Sequence, residues 1–338
     1  MPKVTLNSGT SFEAGPGVTI LDAATNAGIT LPYSCRTGRC STCKCKVVAG
    51  STTVVFPETG LEIGDLAQGW ILGCARAAET DLVLEVEDLA GLALPPARTL
   101  PCRISSIEHP APDVARIRLR LPPASGFHFL PGQYIDVIGH DGLKRSYSLA
   151  SAAAAEQGLE LHVRAMDGGA MSTYWFSQAK INDLLRLQGP RGTFVLRDVA
   201  GRDLIFLATG TGIAPVKAML EALVTLAPGS APASVTVLWG GRVAADLYFD
   251  IARTAAAHRY IPVLSRADDT WEGARGHVQD VLLDERADLE NAVIYACGSD
   301  AMIRDARQAL LRAGLPERLF HSDAFVCSAN PQMRSPQP

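Results

Sequence analysis

Four cysteines in one short stretch constrain the first part of this chain more than any other feature. The stretch YSCRTGRCSTCKCKV covers residues 33–47 and places cysteines at positions 35, 40, 43 and 45. Cysteines this close together in sequence can form disulfides, hold zinc or hold an iron–sulfur cluster that carries electrons. The spacing of the sulfurs and the sequence around them favour one of these three uses.

The spacing favours an iron–sulfur cluster. Four residues separate Cys35 from Cys40, two separate Cys40 from Cys43, and thirty lie between Cys43 and Cys74. This C-x4-C-x2-C pattern with a distant fourth cysteine is the plant-type ferredoxin spacing, which holds a [2Fe–2S] cluster by four thiolates. Structural zinc sites usually have two closely spaced pairs, whereas Cys74 stands alone. Cys45 is expected to be a small packed side chain rather than a ligand.

The sequence around the cysteines predicts a β-grasp ferredoxin domain over residues 1–91. A helical segment near Ile20–Ala27 follows two short strand-like runs, and further strand-like runs begin at the last cysteines of the cluster and at residue 81. Together they predict a small mixed sheet with one helix. Gly38 allows the loop to wrap closely, and its amides can point at sulfur.

Composition argues against several other classes of function. The net charge is −4, with 47% hydrophobic and only 20% charged residues, which gives material for several cores and no basic surface for nucleic acid or anionic membranes. The N-terminal residues lack the apolar core of a secretion signal, and no apolar run approaches the roughly 18 residues of a membrane-spanning helix. We therefore expect a cytoplasmic protein with no nucleic-acid or membrane partner.

Changes in sequence pattern divide the rest of the chain. Residues 92–101, rich in proline and leucine, are predicted to form a semi-stiff linker. Short runs that alternate apolar and polar residues predict an antiparallel β-barrel over residues 102–200. Apolar strands alternating with helical segments predict an α/β domain with a parallel, doubly wound sheet over residues 201–327. Residues 328–338 have no core-forming pattern and are predicted to be a disordered tail.

The predicted barrel contains a candidate phosphate site. Arg145 and Tyr147 share one face of a predicted strand in LKRSYSLAS, and Ser148 points the other way. Arg164 lies shortly before the glycine-rich turn GGAMS at residues 168–172, which precedes a helical segment. Two arginines and the amides at a helix start suit a pyrophosphate. The residues alone do not distinguish this use from a barrel with ordinary surface arginines.

The predicted α/β domain contains a second glycine turn. LIFLATGTGIAPVKAML reads as a strand, a turn with Gly210 and Gly212, and a helix with Pro215 in its first turn. The third glycine of the Rossmann fingerprint is missing, although glycines still let the backbone approach a pyrophosphate. The alternative is a purely structural turn between a strand and a helix.

The order of these motifs resembles the ferredoxin–NADP reductase superfamily. In that superfamily an R-x-Y-S strand and a G-x-x-S turn hold a flavin. The resemblance implies that Tyr147 packs on the isoalloxazine ring and Ser148 approaches its N5, while Arg145 and Arg164 neutralise the phosphates. The turn that would cap those phosphates consists of Gly169, Ala170, Met171 and Ser172.

The same resemblance implies a nicotinamide site in the last domain. Its nucleotide loop would be formed by Gly210, Thr211, Gly212 and Pro215, and Cys297 with Gly298 would lie at the strand edge with the thiol near nicotinamide C4. Phe325, two residues after Asp323, would place its ring over the flavin. Alternatives remain open, because a lone cysteine is usually inert and a phenylalanine usually belongs to a core.

The choice between the two nicotinamide nucleotides depends on the segment after the second strand of this domain. Arg242 could meet the 2′-phosphate of NADPH, but Ala244, Ala245 and Asp246 follow it. An acidic, alanine-rich loop favours NADH over NADPH. FAD is expected rather than FMN, although FMN remains an alternative because the adenosine pocket cannot be read from sequence.

Both ends of the reductase half resemble one subgroup, the CDP-6-deoxy-Δ3,4-glucoseen reductases of bacterial 3,6-dideoxyhexose biosynthesis. The residues concerned are PCRISSIEH at 101–109 and YACGSDAMI with FHSDAFV after 295. The resemblance implies that electrons pass from NADH to FAD, to the [2Fe–2S] cluster and on to a deoxysugar dehydratase. One alternative is the reductase component of an aromatic-ring oxygenase system. Another, of a different class, is a non-catalytic redox sensor that carries the cluster.

Overall fold

The structure, a computed structural model, describes residues 1–139, 142–152, 158–254, 258–286 and 288–326. The predicted tail at 328–338 lies outside these residues, as does residue 327 at the end of the predicted α/β domain. Three large sheets follow one another along the described chain, namely a mixed sheet, an antiparallel sheet and a parallel sheet, and a separate two-stranded sheet accompanies the first. Among the helices described, none is both long enough and apolar enough to cross a membrane.

The first sheet is mixed and carries one helix, as predicted for a ferredoxin domain. Its strand order is β2-β1-β7-β3-β5, with β1 parallel to β7 and antiparallel to β2. Thr19 caps the helix by accepting a hydrogen bond from the Asp22 amide at 3.1 Å, and the helix buries Ile20 and Leu21 against the sheet. The elements are β1 (Lys3–Leu6), β2 (Ser11–Glu13), α1 (Ile20–Asn26), β3 (Lys44–Ala49), β4 (Thr52–Val54), β5 (Trp70–Leu72), β6 (Arg76–Ala78) and β7 (Leu82–Glu85).

The second sheet is antiparallel and closes on itself, as predicted for a barrel. Its order is β11-β10-β13-β8-β9-β12, and a bridge between Leu149 and Leu161 joins the two ends. The first strand begins at Arg98, so residues 98–101 of the segment predicted as linker pair with the neighbouring strand. The elements are β8 (Arg98–Ala111), β9 (Val114–Arg120), β10 (Tyr134–Ile138), β11 (Lys144–Ser148), β12 (Leu159–Arg164), α2 (Ala170–Thr173) and β13 (Leu184–Arg191).

The third sheet is parallel throughout, which confirms the predicted α/β domain. Its order is β17-β16-β15-β14-β18-β19, so the chain runs outward on one side of β14 and then returns to its other side. Ligands of open parallel sheets bind beyond the strand ends at such a switch point. The elements are β14 (Asp203–Thr209), α3 (Ile213–Leu223), β15 (Ser234–Gly241), β16 (Arg259–Leu264), β17 (Ala274–Arg275), α4 (Val278–Glu285), β18 (Ala292–Ser299), α5 (Asp300–Arg312) and β19 (Phe320–Phe325).

The loop after α1, which carries the clustered cysteines, contacts both other domains. The Tyr33 amide donates to Thr193 Oγ1 at 2.9 Å, and the Thr193 amide donates back to the Tyr33 carbonyl at 3.1 Å. The Tyr134 hydroxyl donates to the Ser34 carbonyl at 2.7 Å, and Ser34 Oγ donates to the Asp323 carboxyl at 2.5 Å. The cysteine loop therefore lies at the junction of the barrel and the parallel sheet.

Apolar contact extends this junction. Cys40 is 4% exposed and belongs to the same buried cluster as Met302 and Ile303 of α5. Thr42 Oγ1 lies 3.5 Å from the Ser322 carbonyl oxygen on β19. The ferredoxin domain is thus docked by both hydrogen bonds and hydrophobic packing.

Thr193→Val is expected to weaken this docking. The side chain is 2% exposed, and valine keeps its shape while removing the hydroxyl that serves Tyr33. Leaving a buried backbone amide without its partner costs about 1–3 kcal/mol, or roughly 5- to 150-fold in a docking equilibrium. Limited proteolysis within residues 88–97, which precede the barrel, measures the effect as faster cleavage.

The matched control is Thr53→Val on β4, where the threonine is exposed to solvent. This variant should be cleaved at the wild-type rate. Wild-type cleavage of the Thr193→Val protein would show that the hydroxyl does not hold the domains together.

Candidate cofactor sites

The four predicted cluster ligands come together on two adjacent loops. Cys35, Cys40 and Cys43 lie between α1 and β3, and Cys74 lies in the turn between β5 and β6. The thiols of Cys35 and Cys40 are hydrogen-bonded to each other, and those of Cys43 and Cys74 form a second pair. Cys40, Cys43 and Cys74 are all buried, and Cys35 is half-buried. The sequence spacing therefore produces two adjacent thiol pairs.

Backbone amides point at these sulfurs. The Cys35 amide lies 3.4 Å from Cys40 Sγ, and the Thr37 amide lies 3.4 Å from Cys35 Sγ. The hydrogen bond from the Cys40 thiol, with those from Thr37, lowers the pKa of Cys35 to about 5. Gly38 has a φ of 72°, and a Cβ there would lie 2.2 Å from the Pro57 carbonyl oxygen. The loop thus requires glycine at this position, and it favours the thiolate of Cys35, the form that binds metal.

The paired arrangement fits a binuclear cluster. Among the described residues, no three cysteine, histidine, aspartate or glutamate side chains are arranged to hold one metal ion. Two thiol pairs are what a [2Fe–2S] cluster requires, since its two irons share four thiolates. Cys45 is separate from both pairs: it lies on β3, is 2% exposed, and burial raises its pKa to about 12. It is a packed core thiol, as its position in the sequence suggested.

The predicted flavin strand is β11. Tyr147 is half-buried there, and its hydroxyl accepts a hydrogen bond from Trp175 Nε1 at 2.9 Å, with the two rings edge to face. Burial raises the pKa of Tyr147 to about 12, so the phenol stays neutral. Arg145 is half-buried on the same strand, and Ser148 is buried at its end. The strand thus presents a fixed aromatic ring, a cation and a hydroxyl, the groups that a flavin site requires.

The predicted phosphate turn folds back on itself. Gly169 precedes α2, and Ser172 Oγ accepts a hydrogen bond from the Met166 amide at 2.9 Å. A Cβ on Gly169 would lie 3.1 Å from the Met166 carbonyl oxygen, so a larger residue would crowd the turn. Met171 is buried and anchors the turn on the barrel. The Ser172 hydroxyl proton remains free of this bond and can be donated to an anion.

Arg164 lies at the border of the barrel and the nucleotide domain. Its guanidinium pairs with Asp113 at 2.8 Å and with Asp246 at 2.5 Å. A Cβ on Gly210 would lie 2.7 Å from its Nη1 atom, so Arg164 directly adjoins the predicted nucleotide loop. Two carboxylates already neutralise this arginine, which distinguishes it from Arg145 of the predicted phosphate pair.

The nucleotide loop lies at the switch point of the parallel sheet. Residues 210–212 form one 3₁₀ turn after β14, and Pro215 is buried in the first turn of α3. A Cβ on Gly212 would lie 2.2 Å from the Cys297 carbonyl oxygen, and one on Gly298 would lie 2.1 Å from Thr209 Oγ1. The two glycines therefore let neighbouring strands and the loop approach closely at this point. Backbone atoms rather than side chains line the site there.

Two further predicted residues lie at adjacent strand ends. Cys297 on β18 is fully buried, and burial raises its pKa well above the usual value, so the thiol stays protonated. Phe325, at the end of β19, is 37% exposed and pairs in register with Ser299. An exposed phenylalanine ring at this edge is a poor core residue and is free to contact a ligand.

Asp246 lies in the segment after β15, on which the choice between NADH and NADPH depends. Burial opposes its ionisation, but hydrogen bonds from Arg242 and Arg164 hold the pKa of its carboxyl well below the usual value. Arg242 is therefore engaged with Asp246, at 3.1 Å, rather than being a free cation. A charged carboxylate at this position would repel a 2′-phosphate.

Sequence reasoning missed two groups. Asp323 was noted only as the neighbour of Phe325, but it is buried and bonded to Ser34, and burial raises its pKa to about 6. His162 belongs to none of the sequence motifs, but both its ring nitrogens are hydrogen-bonded inside the protein, to Tyr248 and Glu160. The sequence signal that could have identified His162 is its position two residues after a glutamate in one strand. Both side chains are buried in the structure.

Comparison with known families agrees with this division into three sites. The 2Fe-2S iron-sulfur cluster binding domain family matches residues 4–79, the oxidoreductase FAD-binding domain family matches 101–196, and the oxidoreductase NAD-binding domain family matches 206–308. The [2Fe–2S], FAD and NAD(P) cofactors predicted from the sequence are thereby confirmed. The enzyme is an NAD(P)H-dependent FAD oxidoreductase, which excludes the interpretation as a non-catalytic sensor.

Individual relatives cover nearly the whole chain. The CDP-6-deoxy-L-threo-D-glycero-4-hexulose-3-dehydrase reductase of Yersinia pseudotuberculosis is 41% identical over 95% of this chain and 97% of its own. Reductase component 1 of terephthalate 1,2-dioxygenase from Comamonas is 33% identical over 95% and 96%. A crystal structure of the Amycolatopsis cytochrome P450 reductase GcoB covers 97% of this chain and 100% of its own, with a TM-score of 0.75 and 29% identity. The chain therefore belongs to the family of NAD(P)H-dependent FAD reductases with an N-terminal [2Fe–2S] domain, as a homologue of the CDP-6-deoxy-L-threo-D-glycero-4-hexulose-3-dehydrase reductases.

Proposed function

We propose that this protein takes electrons from NADH and supplies them, through FAD and the [2Fe–2S] cluster, to a CDP-6-deoxyhexulose dehydrase. The observation that carries the choice of acceptor is the 41% identity, over 95% of this chain, to a reductase named for that dehydrase. When bound, FAD accepts a hydride from the nicotinamide and releases electrons singly, and the cluster carries one electron at a time. The chain's own residues bind, orient and insulate these groups.

The cluster would be held by the two thiol pairs. We assign Cys35 and Cys40 to one iron and Cys43 and Cys74 to the other, because each pair is already in hydrogen-bond contact. The amides of Cys35 and Thr37 would stabilise the negative charge on the sulfurs. Docking of this loop at the junction of the barrel and the parallel sheet supports direct electron passage between domains.

The flavin would be held by β11 and the turn before α2. Tyr147, fixed by its bond to Trp175, would pack on the isoalloxazine ring, and Ser148 would place its hydroxyl near N5. Arg145 would neutralise phosphate charge, and the turn with Gly169, Met171 and Ser172 would donate hydrogen bonds to it. Arg164 would contribute its charge from the side of the nucleotide loop, because it adjoins Gly210.

The nicotinamide nucleotide would lie along the loop formed by Gly210, Thr211, Gly212 and Pro215. Cys297 would face the nicotinamide ring as a neutral thiol that excludes water and aligns the ring, since its high pKa rules out a thiolate. Gly298 would let the ring approach the backbone. Phe325 would cover the flavin until the nucleotide displaces its ring, which its exposed position permits.

NADH is the proposed donor. The ionised Asp246 carboxylate, held by Arg164 and Arg242, would lie near the 2′-position of the bound nucleotide, where a phosphate would add two further negative charges. Repulsion between like charges at close range favours the nucleotide that lacks this phosphate.

Supply to an oxygenase is the second candidate. Similarity to the terephthalate dioxygenase reductase, at 33% identity over 95% of this chain, favours it. The test is anaerobic reduction of the protein by NADH, followed by mixing with the Yersinia dehydrase or the Comamonas oxygenase component. Faster reoxidation with the dehydrase alone supports our proposal. Reoxidation by the oxygenase component alone would replace it with the second candidate.

Cys40→Ser should remove the cluster while leaving the flavin in place. A serine hydroxyl binds iron weakly, so iron content and the visible absorbance of the cluster should fall by more than half. Reduction of ferricyanide by NADH should continue, because ferricyanide takes electrons from the flavin. Cys45→Ala is the matched control and should keep its iron. Loss of iron in the control would contradict the assignment of ligands.

Arg145→Ala should weaken flavin retention. Losing one charged hydrogen bond to phosphate costs about 1.5–3 kcal/mol, which raises the dissociation constant of FAD roughly 10- to 150-fold. The ratio of flavin to protein after dialysis measures this change. Arg186→Ala, at an exposed position on β13 of the same barrel, should retain flavin normally. Equal flavin content in the two variants would contradict the role of Arg145.

Asp246→Asn should reduce the preference for NADH over NADPH. Removing one charge near the 2′-position is expected to raise kcat/KM for NADPH about tenfold relative to NADH. Ferricyanide reduction with each nucleotide gives both values. Asp269→Asn, at an exposed position in the same domain, is the control and should leave the ratio unchanged. An unchanged ratio in Asp246→Asn would show that this carboxylate does not cause the preference for NADH.

A further inference from the structure

A buried polar network joins the barrel to the parallel sheet. Glu160 on β12 is 1% exposed, and its carboxylate is 2.9 Å from His162 Nε2 and 3.4 Å from Lys217 Nζ of α3. The other carboxylate oxygen accepts a hydrogen bond from Arg118 at 2.8 Å. His162 Nδ1 is 2.8 Å from the hydroxyl of Tyr248, in the nucleotide domain. Three barrel residues and two nucleotide-domain residues are thus linked inside the protein.

The network has a defined direction of hydrogen bonding. Burial opposes ionisation of Glu160, but His162 and the charges of Lys217 and Arg118 lower its pKa to about 2, so it is a carboxylate. Burial lowers the pKa of His162, which is therefore neutral. Because the carboxylate can only accept, the proton of the ring is on Nε2. Nδ1 must then accept from the hydroxyl of Tyr248.

One branch of the network reaches the nucleotide loop. The ring of Tyr248 meets the buried ring of Trp239 edge to face, with centroids 5.2 Å apart. Trp239 Nε1 donates to the Gly210 carbonyl at 3.0 Å. The first residue of the glycine loop is therefore tied, through two rings, to His162 of the barrel.

The other branch reaches the segment that follows the flavin strand. Lys217 Nζ donates to the Ala150 carbonyl at 2.9 Å, and the Ala150 amide donates to the Glu160 carbonyl at 2.8 Å. Glu221, one turn after Lys217 and bonded to it at 2.6 Å, accepts from the Ala152 amide at 2.7 Å. Since α3 begins directly after the glycine loop, helix, loop and flavin strand are held as one unit.

We propose that Glu160, His162, Lys217 and Tyr248 are positioning residues that fix the nucleotide loop relative to the flavin strand. Hydride transfer is sensitive to displacements of about 1 Å. A buried ion pair between two domains contributes little net stability, so stability alone does not account for this network. The network holds both sides of the site from within the protein. The inference concerns the step from nicotinamide to FAD and does not depend on the proposed dehydrase.

Tyr248→Phe is the first test. It removes the hydroxyl that His162 accepts from, while the ring remains against Trp239. In stopped-flow experiments at saturating NADH, flavin reduction in the holoenzyme should be about tenfold slower, with unchanged flavin and iron content. The absorbance of the flavin–nicotinamide charge-transfer complex should weaken in parallel. Tyr260→Phe, on β16 of the same domain, is the matched control and should behave as wild type.

Lys217→Met and Lys217→Arg give a second, independent test. Methionine keeps the aliphatic stem and loses the charge, so amide hydrogen exchange in residues 210–217 should become faster, whereas arginine should restore slow exchange. This readout needs neither turnover nor an acceptor, so it separates this inference from the proposed function. Wild-type flavin reduction in Tyr248→Phe, or wild-type exchange in Lys217→Met, would overturn the proposal. If the two variants lose thermal stability while both readouts stay unchanged, the proposal is also overturned, because the network is then only structural.

Discussion

The hydrogen bond from Ser34 to the buried carboxyl of Asp323 fixes the relation between the two ends of the electron path. Ser34 directly precedes Cys35, the first proposed cluster ligand, and Asp323 pairs in register with Cys297, which we propose faces the nicotinamide. Asp323 is 4% exposed, so without this partner a polar group would be buried at a cost. The bond therefore holds the iron–sulfur loop and the nucleotide sheet in one arrangement.

The barrel serves both of its neighbours. Tyr147 and Arg145 on its strands are the proposed flavin residues, while Tyr134 and Thr193 hold the ferredoxin loop. Both functions use strand ends or the loops beside them, so the hydrophobic interior of the barrel is not involved. Such a division lets three domains share one junction.

Local features were predicted well from the sequence. The cysteine spacing identified the cluster, alternation identified the barrel strands, and Gly210 with Gly212 identified the turn after the first parallel strand, because each pattern acts over a few residues. Strand Arg98–Ala111 begins earlier than its pattern suggested because pairing with Leu184–Arg191 overrides the proline at position 101. A preference of one residue cannot outweigh a ladder of hydrogen bonds to a distant strand.

Contacts between domains could not be predicted in this way. Ser34 and Asp323 are 289 positions apart, and Arg164 reaches Asp246 from another domain. Nothing in the neighbouring sequence specifies such pairs, since they arise when finished domains pack. Arg164 illustrates the effect: its motif indicated a phosphate ligand, whereas packing surrounds it with two carboxylates. Ion pairs between domains such as these depend on packing that sequence patterns do not specify.

The 289 positions between Ser34 and Asp323 also have a consequence for biosynthesis. At about 5–20 residues per second, a ribosome completes the last strand roughly 15–60 seconds after the cysteine loop has emerged. During that interval α5 and β19 do not yet cover Cys40. The cysteine loop is therefore open to solvent on that side until the final strand is synthesised and closes the junction.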